Sequence, residues 1–386
     1  MIQETGIMSK QTEIQWGEEI IAQLGGSNEW TDCTLGEVIN LKRGYDLPKH
    51  SRKSGTIPII SSSGITDYHS EPMAKAPGVI TGRYGTIGQV FFSDVDYWPL
   101  NTALYVQDFK GNDQRFIYYL LTAFDFEQFS DKSAVPGINR NHIHEAAVSI
   151  PPLPEQRAIA AVLSSLDDKI DLLHRQNATL EALAETLFRQ WFVEEAKEEW
   201  VKGKLPDEFT CVMGSSPPGE SYNNAGVGLP MFQGNADFGY RFPSNRVYTT
   251  DAKRLATKFD TLVSVRAPVG AQNMANETCC IGRGVAAFRY KKDPTFYSYT
   301  YFKMRSLMIE FKEFNQTGTV FGSISKADVD ALSVTIPPLE IVKRFQSEVK
   351  PIDDKVISNT NQIQTLSTLR DTLLPKLMSG EVRVAY

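Results

Sequence analysis

The sequence predicts an α+β chain. Two mixed α/β globules are separated by two long helices that pair as an antiparallel coiled coil, with an internal pseudo-twofold repeat. Three observations carry this. Ile150-Pro151-Pro152-Leu153 returns as Ile336-Pro337-Pro338-Leu339, and adding 186 to each residue number carries the first copy onto the second without a gap for about forty residues. After each diproline, apolar residues recur at alternating steps of four and three, the 3.5-residue period of a coiled-coil seam. Before each diproline lie short apolar runs broken by glycine, which read as strands and turns. A 186-residue period repeats whole domains, because solenoid units run to about 20–50 residues.

Residues 1–29 read as a polar, weakly ordered lead with a short helix near Glu18–Ala22, and not as a signal peptide. Met8 is an alternative start. The first globule spans 30–150. Ile39–Tyr45 reads as a strand ending in a basic turn, and Ile57–Ile60 as a strand running into Ser61-Ser62-Ser63-Gly64. Pro77–Gly85 and Ile87–Phe92 are two apolar strands joined by a glycine-bearing turn, Phe116–Leu121 suits a buried helix, and Val135–Asn141 is a polar loop.

The first long helix spans 151–197, its start set by the diproline, which disfavours helical geometry in the residue ahead. Its seam runs through Ile159, Leu163, Leu166, Ile170, Leu173, Asn177, Leu180, Ala184, Leu187 and Trp191. The second globule, 198–335, repeats the first loosely. Pro230–Asn235 resembles Pro58–Ser63, Leu262–Gly270 resembles Val79–Gly88, and Tyr297–Lys312 mirrors the buried helix. The second long helix, 336–380, keeps Phe345, Val349, Ile352, Val356, Asn359, Ile363, Leu366, Arg370, Leu373 and Leu377 on its seam. Pro375 is expected to kink or stop it, Gly380 to cap it, and 381–386 to form a tail.

A helix of about 40 residues is about 60 Å long at about 1.5 Å per residue, and its exposed seam needs a partner, most simply the other copy. Asn177 and Asn359 either fix the register of that pair or are solvated breaks in the stripe.

The net charge of −6 argues against a uniformly basic nucleic-acid binder. The acidity is local. Residues 155–199 hold ten acids and five bases, 32–150 thirteen and eleven, and 200–335 twelve and sixteen. The globules are free to carry basic faces. Cys33, Cys211, Cys279 and Cys280 have no metal spacing, and without a secretory signal they fit a reducing cytoplasm. No run approaches the roughly 20 apolar residues of a membrane span.

No catalytic or metal motif stands out. An adenine methyltransferase needs Asn/Asp-Pro-Pro-aromatic and a glycine-rich cofactor loop, whereas both diprolines follow isoleucine and precede leucine. Gly226-Val227-Gly228 and Gly282-Arg283-Gly284 read as turns, Asp251 with Lys253 as a chance nuclease-like pair, and His142 with His144 as a surface turn.

The chain resembles the specificity subunit of type I restriction-modification systems. The resemblance rests on Ile150–Gln156, Leu166–Ile170, Leu187-Phe188-Arg189-Gln190-Trp191-Phe192, Ile336–Leu339, Leu369–Gly380, and Trp30 with Leu35-Gly36-Glu37. Leu339-Glu340-Ile341-Val342-Lys343 departs from Leu153-Pro154-Glu155-Gln156-Arg157. The resemblance implies two target recognition domains, each reading one half of a split sequence in double-stranded DNA. It implies helices that set the spacing and dock two methyltransferase subunits, with endonuclease/translocase subunits joining that core. No cofactor is expected in this chain; S-adenosylmethionine, ATP and Mg2+ belong to partner subunits. The competing readings are a coiled-coil scaffold that binds only proteins and a stand-alone enzyme.

Base readout needs Arg, Lys, Asn or Gln on elements that enter a groove, and phosphate grip adds Ser, Thr and backbone N–H groups. The first domain offers Lys42, Arg43, Tyr45, Ser61, Ser62, Arg83, Tyr84, Asn139, Arg140 and Asn141. The second offers Gln233, Asn235, Arg266, Gln272, Asn273, Thr317, Ser323 and Lys326. Arg83 and Arg266 each follow an apolar strand. Gly44, Gly82 and Gly318 would let backbone approach phosphate.

Overall fold

The structure, a computed structural model, describes residues 30–130, 137–313 and 323–385. The expected helix near Glu18–Ala22, together with Thr317 and Gly318, lies outside them. The chain divides into two compact units, Met1–Ile170 with Thr365–Tyr386, and Asp171–Gln364.

In the first unit, β1 (Thr31–Thr34) pairs antiparallel with β9 (Ala147–Ile150), so the module begins and ends on one ribbon at the diproline. Glu37 closes α1 (Leu35–Val38) by accepting the Thr34 N–H at 2.7 Å. The main sheet has the order β2 (Asn40–Arg43), β8 (Ala103–Asp108), β5 (Gly78–Gly82), β6 (Val90–Ser93). A smaller sheet sets β3 (Ile57–Ser61) between β4 (Gly64–His69) and, in parallel, β7 (Trp98–Pro99). The expected strand from Ile87 starts only at Val90. The expected buried helix is α2 (Gln114–Ala123), capped by Asp113, whose side chain accepts the Phe116 N–H. Of the expected loop Val135–Asn141, Val135 and Pro136 lie outside the described residues, and Gly137, Ile138 and Asn139 are irregular. Arg140 and Asn141 open α3 (Arg140–His144), because the Asn139 side chain accepts the Asn141 N–H and caps a helix.

The second unit repeats this plan. β10 (Val201–Lys204) pairs with β20 (Ser333–Ile336), and α5 (Leu205–Glu208) follows, closed by Asp207 on the Lys204 N–H. The main sheet has the order β11 (Phe209–Met213), β19 (Val285–Tyr290), β16 (Thr261–Ser264), β17 (Gln272–Met274). The smaller sheet has five strands: β12 (Tyr222–Asn223), β14 (Tyr248–Thr249), β13 (Leu229–Phe232), β18 (Cys279–Ile281) and β15 (Leu255–Ala256), with β13 and β18 parallel. The expected helix Tyr297–Lys312 breaks at Leu307 into α6 (Tyr297–Ser306) and α7 (Met308–Glu313), and α8 (Lys326–Ala331) is capped by Ser325.

The two long helices, α4 (Leu153–Arg189) and α9 (Leu339–Met378), contribute to both units. Within each unit they run antiparallel. In the first, Asp167 meets Arg370 at 2.8 Å, and Ile159 and Leu163 share a core with Leu377. In the second, Asn177 meets Asn359, and Phe188 meets Phe345 with ring centroids 5.7 Å apart. None of the twenty predicted seam residues is exposed, including Leu166, Ile170, Leu173, Leu180, Leu187, Ile352, Val356, Ile363, Leu366 and Leu373. Asn177 and Asn359 are 0% and 1% exposed, and Asn359 Nδ2 donates to Asn177 Oδ1 at 2.9 Å. They fix register, because any slip would bury both amides unpaired. Arg370 tolerates its seam position by pairing with Asp167.

Pro375 does not stop α9, which continues to Met378. The proline forfeits one backbone bond, but Leu373, Leu374, Leu377 and Met378 pack into the first module's core and outweigh it. The departure after the second diproline leaves the helix start unchanged. The Ile341 N–H donates to Pro338 at 3.0 Å, as the Glu155 N–H does to Pro152 at 2.9 Å. Glu155 is instead needed where it stands: it is fully buried and paired with Arg383 of the tail, Nη2 to Oε2 2.6 Å.

Candidate nucleic-acid interface

Each module hangs on the helices through a buried glutamine. Gln156 Oε1 accepts the Asp113 N–H at 3.0 Å at the start of α2, and Gln346 Oε1 accepts the Tyr299 N–H at 3.2 Å at the start of α6. What the modules present outward rests on that frame.

In the first module an open groove of about 660 Å³ is lined by Lys42, Arg43, Gly44, Tyr45, Asp46, Arg83, Tyr84, Leu104, Gly137, Ile138, Asn139, Arg140 and Asn141. Eight of the ten residues expected for this module therefore share one groove. The backbone explains the convergence. Arg83 O accepts the Ile138 N–H at 3.0 Å, which brings the strand end and the start of α3 together. Edge strand β2 is held from outside by α3: the Leu41 N–H donates to His144 Nε2 at 2.9 Å, and Arg140 Nη1 donates to Leu41 O at 3.3 Å. Burial, with Arg140 and Lys110 nearby, pushes the His144 imidazole below its ordinary value, so it stays a neutral acceptor. His144 thus works in a helix and supports β2, and is not part of a surface turn.

The groove surface is cationic and aromatic. Arg83 stacks on the Tyr84 ring, 4.5 Å from guanidinium carbon to centroid, and Lys42 lies 5.4 Å from the Tyr45 ring. The Tyr45 and Tyr105 hydroxyls are 3.0 Å apart; that bond, with Lys42 beside it, lowers the Tyr45 phenol, while burial raises Tyr105. Asp46 is the one acid on the rim, pairing with Arg43 at 3.5 Å and accepting from Asn101 Nδ2.

Two first-module residues stand apart. Ser62 is half-buried beside Gly82 and Gly85, next to the Arg83 turn. Ser61 is 7% exposed and donates to Gly64 O at 3.2 Å, so it braces the turn and is withdrawn from the surface. Gly44 and Gly82 also serve the fold: a Cβ would lie 2.1 Å from Leu100 O and 1.8 Å from Thr86 O, so both glycines admit this chain's own backbone and not phosphate.

In the second module Gln233 and Asn235 are exposed around a cleft of about 300 Å³ that Ala267 and Pro268 also line. Arg266 precedes these and bridges Ser323, and Lys326 follows at the start of α8, paired with Asp330. Gln272 and Asn273 turn their amides to carbonyls within the module. Gln272 donates to Tyr301 O at 2.6 Å, and the fully buried Asn273 donates to Gly239 O at 2.8 Å. Thr317 lies outside the described residues.

A family model for the type I restriction modification DNA specificity domain matches this chain twice, over residues 27–182 and 197–368. The chain belongs to that family. It is 30% identical to a putative type I restriction enzyme MjaX specificity subunit of Methanocaldococcus jannaschii over 70% of this chain and 68% of the relative. It is 23% identical to the type I restriction enzyme HindI specificity subunit of Haemophilus influenzae over 92% of each chain. The solved S subunit of a type I restriction-modification system from M. genitalium covers 92% of this chain and 97% of its own length, with a TM-score of 0.66 and 18% identity, a likeness of fold. The chain is thus a type I specificity subunit with two DNA specificity domains.

The doubled family match lets equivalent positions be read from equivalent backbone bonds. Leu100 N–H to Ile60 O matches Gly282 N–H to Phe232 O, both 2.8 Å, so Ser61 corresponds to Gln233, as the sequence alignment expects. Ile138 N–H to Arg83 O matches Ile324 N–H to Val265 O, so Arg83 corresponds to Val265, and Arg266 stands where the first module has Tyr84. The sequence aligns the two arginines; the structure sets them at equivalent positions one residue apart. Residues the sequence reading missed include Arg283, on the turn between β18 and β19, and Arg241, a fully buried cation. Only the glycines around Arg283 hinted at an exposed turn.

Among the described residues no helix is long and apolar enough to cross a membrane.

Proposed function

We propose that this chain reads DNA sequence without catalysing a reaction, in the cytoplasm, as the recognition part of a type I restriction-modification enzyme. Each module reads one half of a two-part duplex target. The paired helices set the distance between half-sites and dock two methyltransferase subunits, around which endonuclease/translocase subunits assemble. S-adenosylmethionine, ATP and Mg2+ act on those partners. The observation that carries this reading is the first-module groove, where three segments distant in sequence deliver Lys42 and Arg43, Arg83, and Arg140 to one open, aromatic-lined surface. Guanidinium, ammonium and amide donors around a groove suit phosphate and base edges.

The test is an exchange of residues 32–150 for the corresponding module of another family member, followed by methylome mapping with partner subunits. One half of the modified sequence is expected to change and the other to stay. A change in both halves overturns the modular reading. Absence of any sequence-dependent complex with the methyltransferase would return the chain to a scaffold for proteins alone.

A further inference from the structure

The second module carries a cation at a position where the first has none. Arg283 tips the turn between β18 and β19, is exposed, and has no side-chain partner among the described residues. The turn is pressed onto Gln233: a Cβ on Gly284 would lie 2.1 Å from Gln233 O, and one on Gly282 3.3 Å from Gln233 Cα. The Val265 N–H donates to Gly284 O at 2.9 Å, which sets Arg266, the next residue, along the same turn. Arg266, like Arg283, is exposed and has no side-chain partner among the described residues. Three segments thus bring Gln233, Arg266 and Arg283 to one patch.

The matching place in the first module is chemically different. Arg83 N–H to Thr102 O, 2.8 Å, is the counterpart of Val265 N–H to Gly284 O, so Asn101 corresponds to Arg283. Asn101 is tied to Asp46, which also engages Arg43. Opposite Arg283 stands Ser216, whose Oγ accepts the Arg283 N–H at 3.5 Å, with no carboxylate to engage the guanidinium. A tethered amide in one module is an untethered guanidinium in the other, on the same frame.

We propose that Arg283, with Arg266, determines the base preference of the second module by reading guanine. A guanidinium offers two parallel N–H donors that match guanine O6 and N7 in the major groove, whereas adenine presents an acceptor beside a donor. The inference rests on the reading of this chain as a DNA-recognition subunit.

The test uses the complex assembled with the methyltransferase partner, and duplexes in which each base pair of the target is varied in turn. Arg283 lies on an exposed turn, and gel filtration checks that each variant complex assembles. Arg283→Ala and Arg283→Lys are both expected to weaken the native target about 10- to 100-fold, because lysine keeps the charge but lacks the fork. Both should also relax preference at one or two G·C pairs, only in the half-site that the exchange of residues 32–150 leaves unchanged. Full affinity in Arg283→Lys with a uniform loss across all sequences in Arg283→Ala would assign a phosphate contact and overturn the inference. So would unchanged binding, or relaxation at A·T pairs. If the unaltered complex showed no sequence preference, the DNA-reading function itself would fall, and the inference with it.

Discussion

The two modules share a hydrogen-bonded frame and differ in where they place charge on it. Gly44 N–H to Ala103 O, 3.0 Å, matches Gly214 N–H to Val285 O, 2.9 Å, so Lys42 and Arg43 correspond to Val212 and Met213. The first module puts Lys42 and Arg43 on edge strand β2; the second puts Arg266 and Arg283 on turn tips. Among the described candidate residues, the position that keeps a cation is Arg140, matched by Lys326, each just past the cap of a short helix. A side chain that grips phosphate can stay while base-reading positions change, because phosphate carries no sequence. Duplication followed by divergence at exposed loops would produce this pattern without disturbing either core.

The attachment to the helices differs as well, and it yields the largest expected effect. Asp167 and its repeat counterpart Asp353 are both ion-paired, but to different elements. Asp167 is partly exposed and meets Arg370 of α9 at 2.8 Å, with the Tyr119 hydroxyl donating at 2.6 Å. Asp353 is 1% exposed and meets Arg241 of the second module at 2.5 Å; Arg241 also reaches Glu181 at 3.2 Å and lies 4.0 Å from the Tyr301 ring centroid. Arg241→Ala strands the buried Asp353 carboxylate, while Glu181 keeps Arg305 at 3.5 Å, and should cost about 3–5 kcal/mol. Arg370→Ala should cost about 1 kcal/mol, since Asp167 keeps water and Tyr119. Urea unfolding of both variants measures the difference. Equal losses would show that burial does not separate the two clasps.

A middle-sized effect concerns the edge strand. Lys42→Ala with Arg43→Ala should weaken target binding by about 1–3 kcal/mol and flatten its salt dependence, by about 0.9 in log–log slope per lost phosphate contact. Gel shifts at several salt concentrations read both quantities. An unchanged slope would place these cations off the phosphate backbone.

The smallest effect is confined to the first module. The folded protein holds the His144 proton less tightly than the unfolded chain, so this contribution to stability is full above the ordinary imidazole value of 6.5 and is lost as pH falls through the lowered folded value. Protonation also removes the acceptor for the Leu41 N–H. Hydrogen-exchange protection of the Leu41 amide, taken relative to its intrinsic exchange rate, should fall as pH drops below 6.5, and His144→Gln should flatten that response. The second module has Asp330 at the matching position, paired with Lys326, and should show no such change. A parallel loss of protection at Cys211, the counterpart of Leu41, would break the contrast.

Much of the fold was legible because its signals are one-dimensional. The seam from Ile159 to Trp191 and from Phe345 to Leu377 needed only periodicity. The candidate groove was partly legible, because strand ends and turns collect polar residues that no core can use. The errors share one cause. Ser61, Gln272 and Asn273 looked like surface donors, yet each gives its hydrogen bond to a carbonyl of this chain, for Gln272 that of Tyr301 in another element. Arg241 and Glu155 passed unnoticed because a charged side chain in a sequence gives no sign of a buried partner such as Asp353 or Arg383.

The amino-acid order by itself determined the duplication, the heptad rods and their starts at the diprolines, since offset, period and proline geometry are properties of neighbours along the chain. Only the tertiary structure decided which polar groups face outward. It also set Arg266 at the position equivalent to Tyr84 and gathered Lys42, Arg83 and Arg140 around one groove. Those outcomes depend on hydrogen bonds between segments far apart in sequence, where a residue's type does not reveal which partner satisfies it.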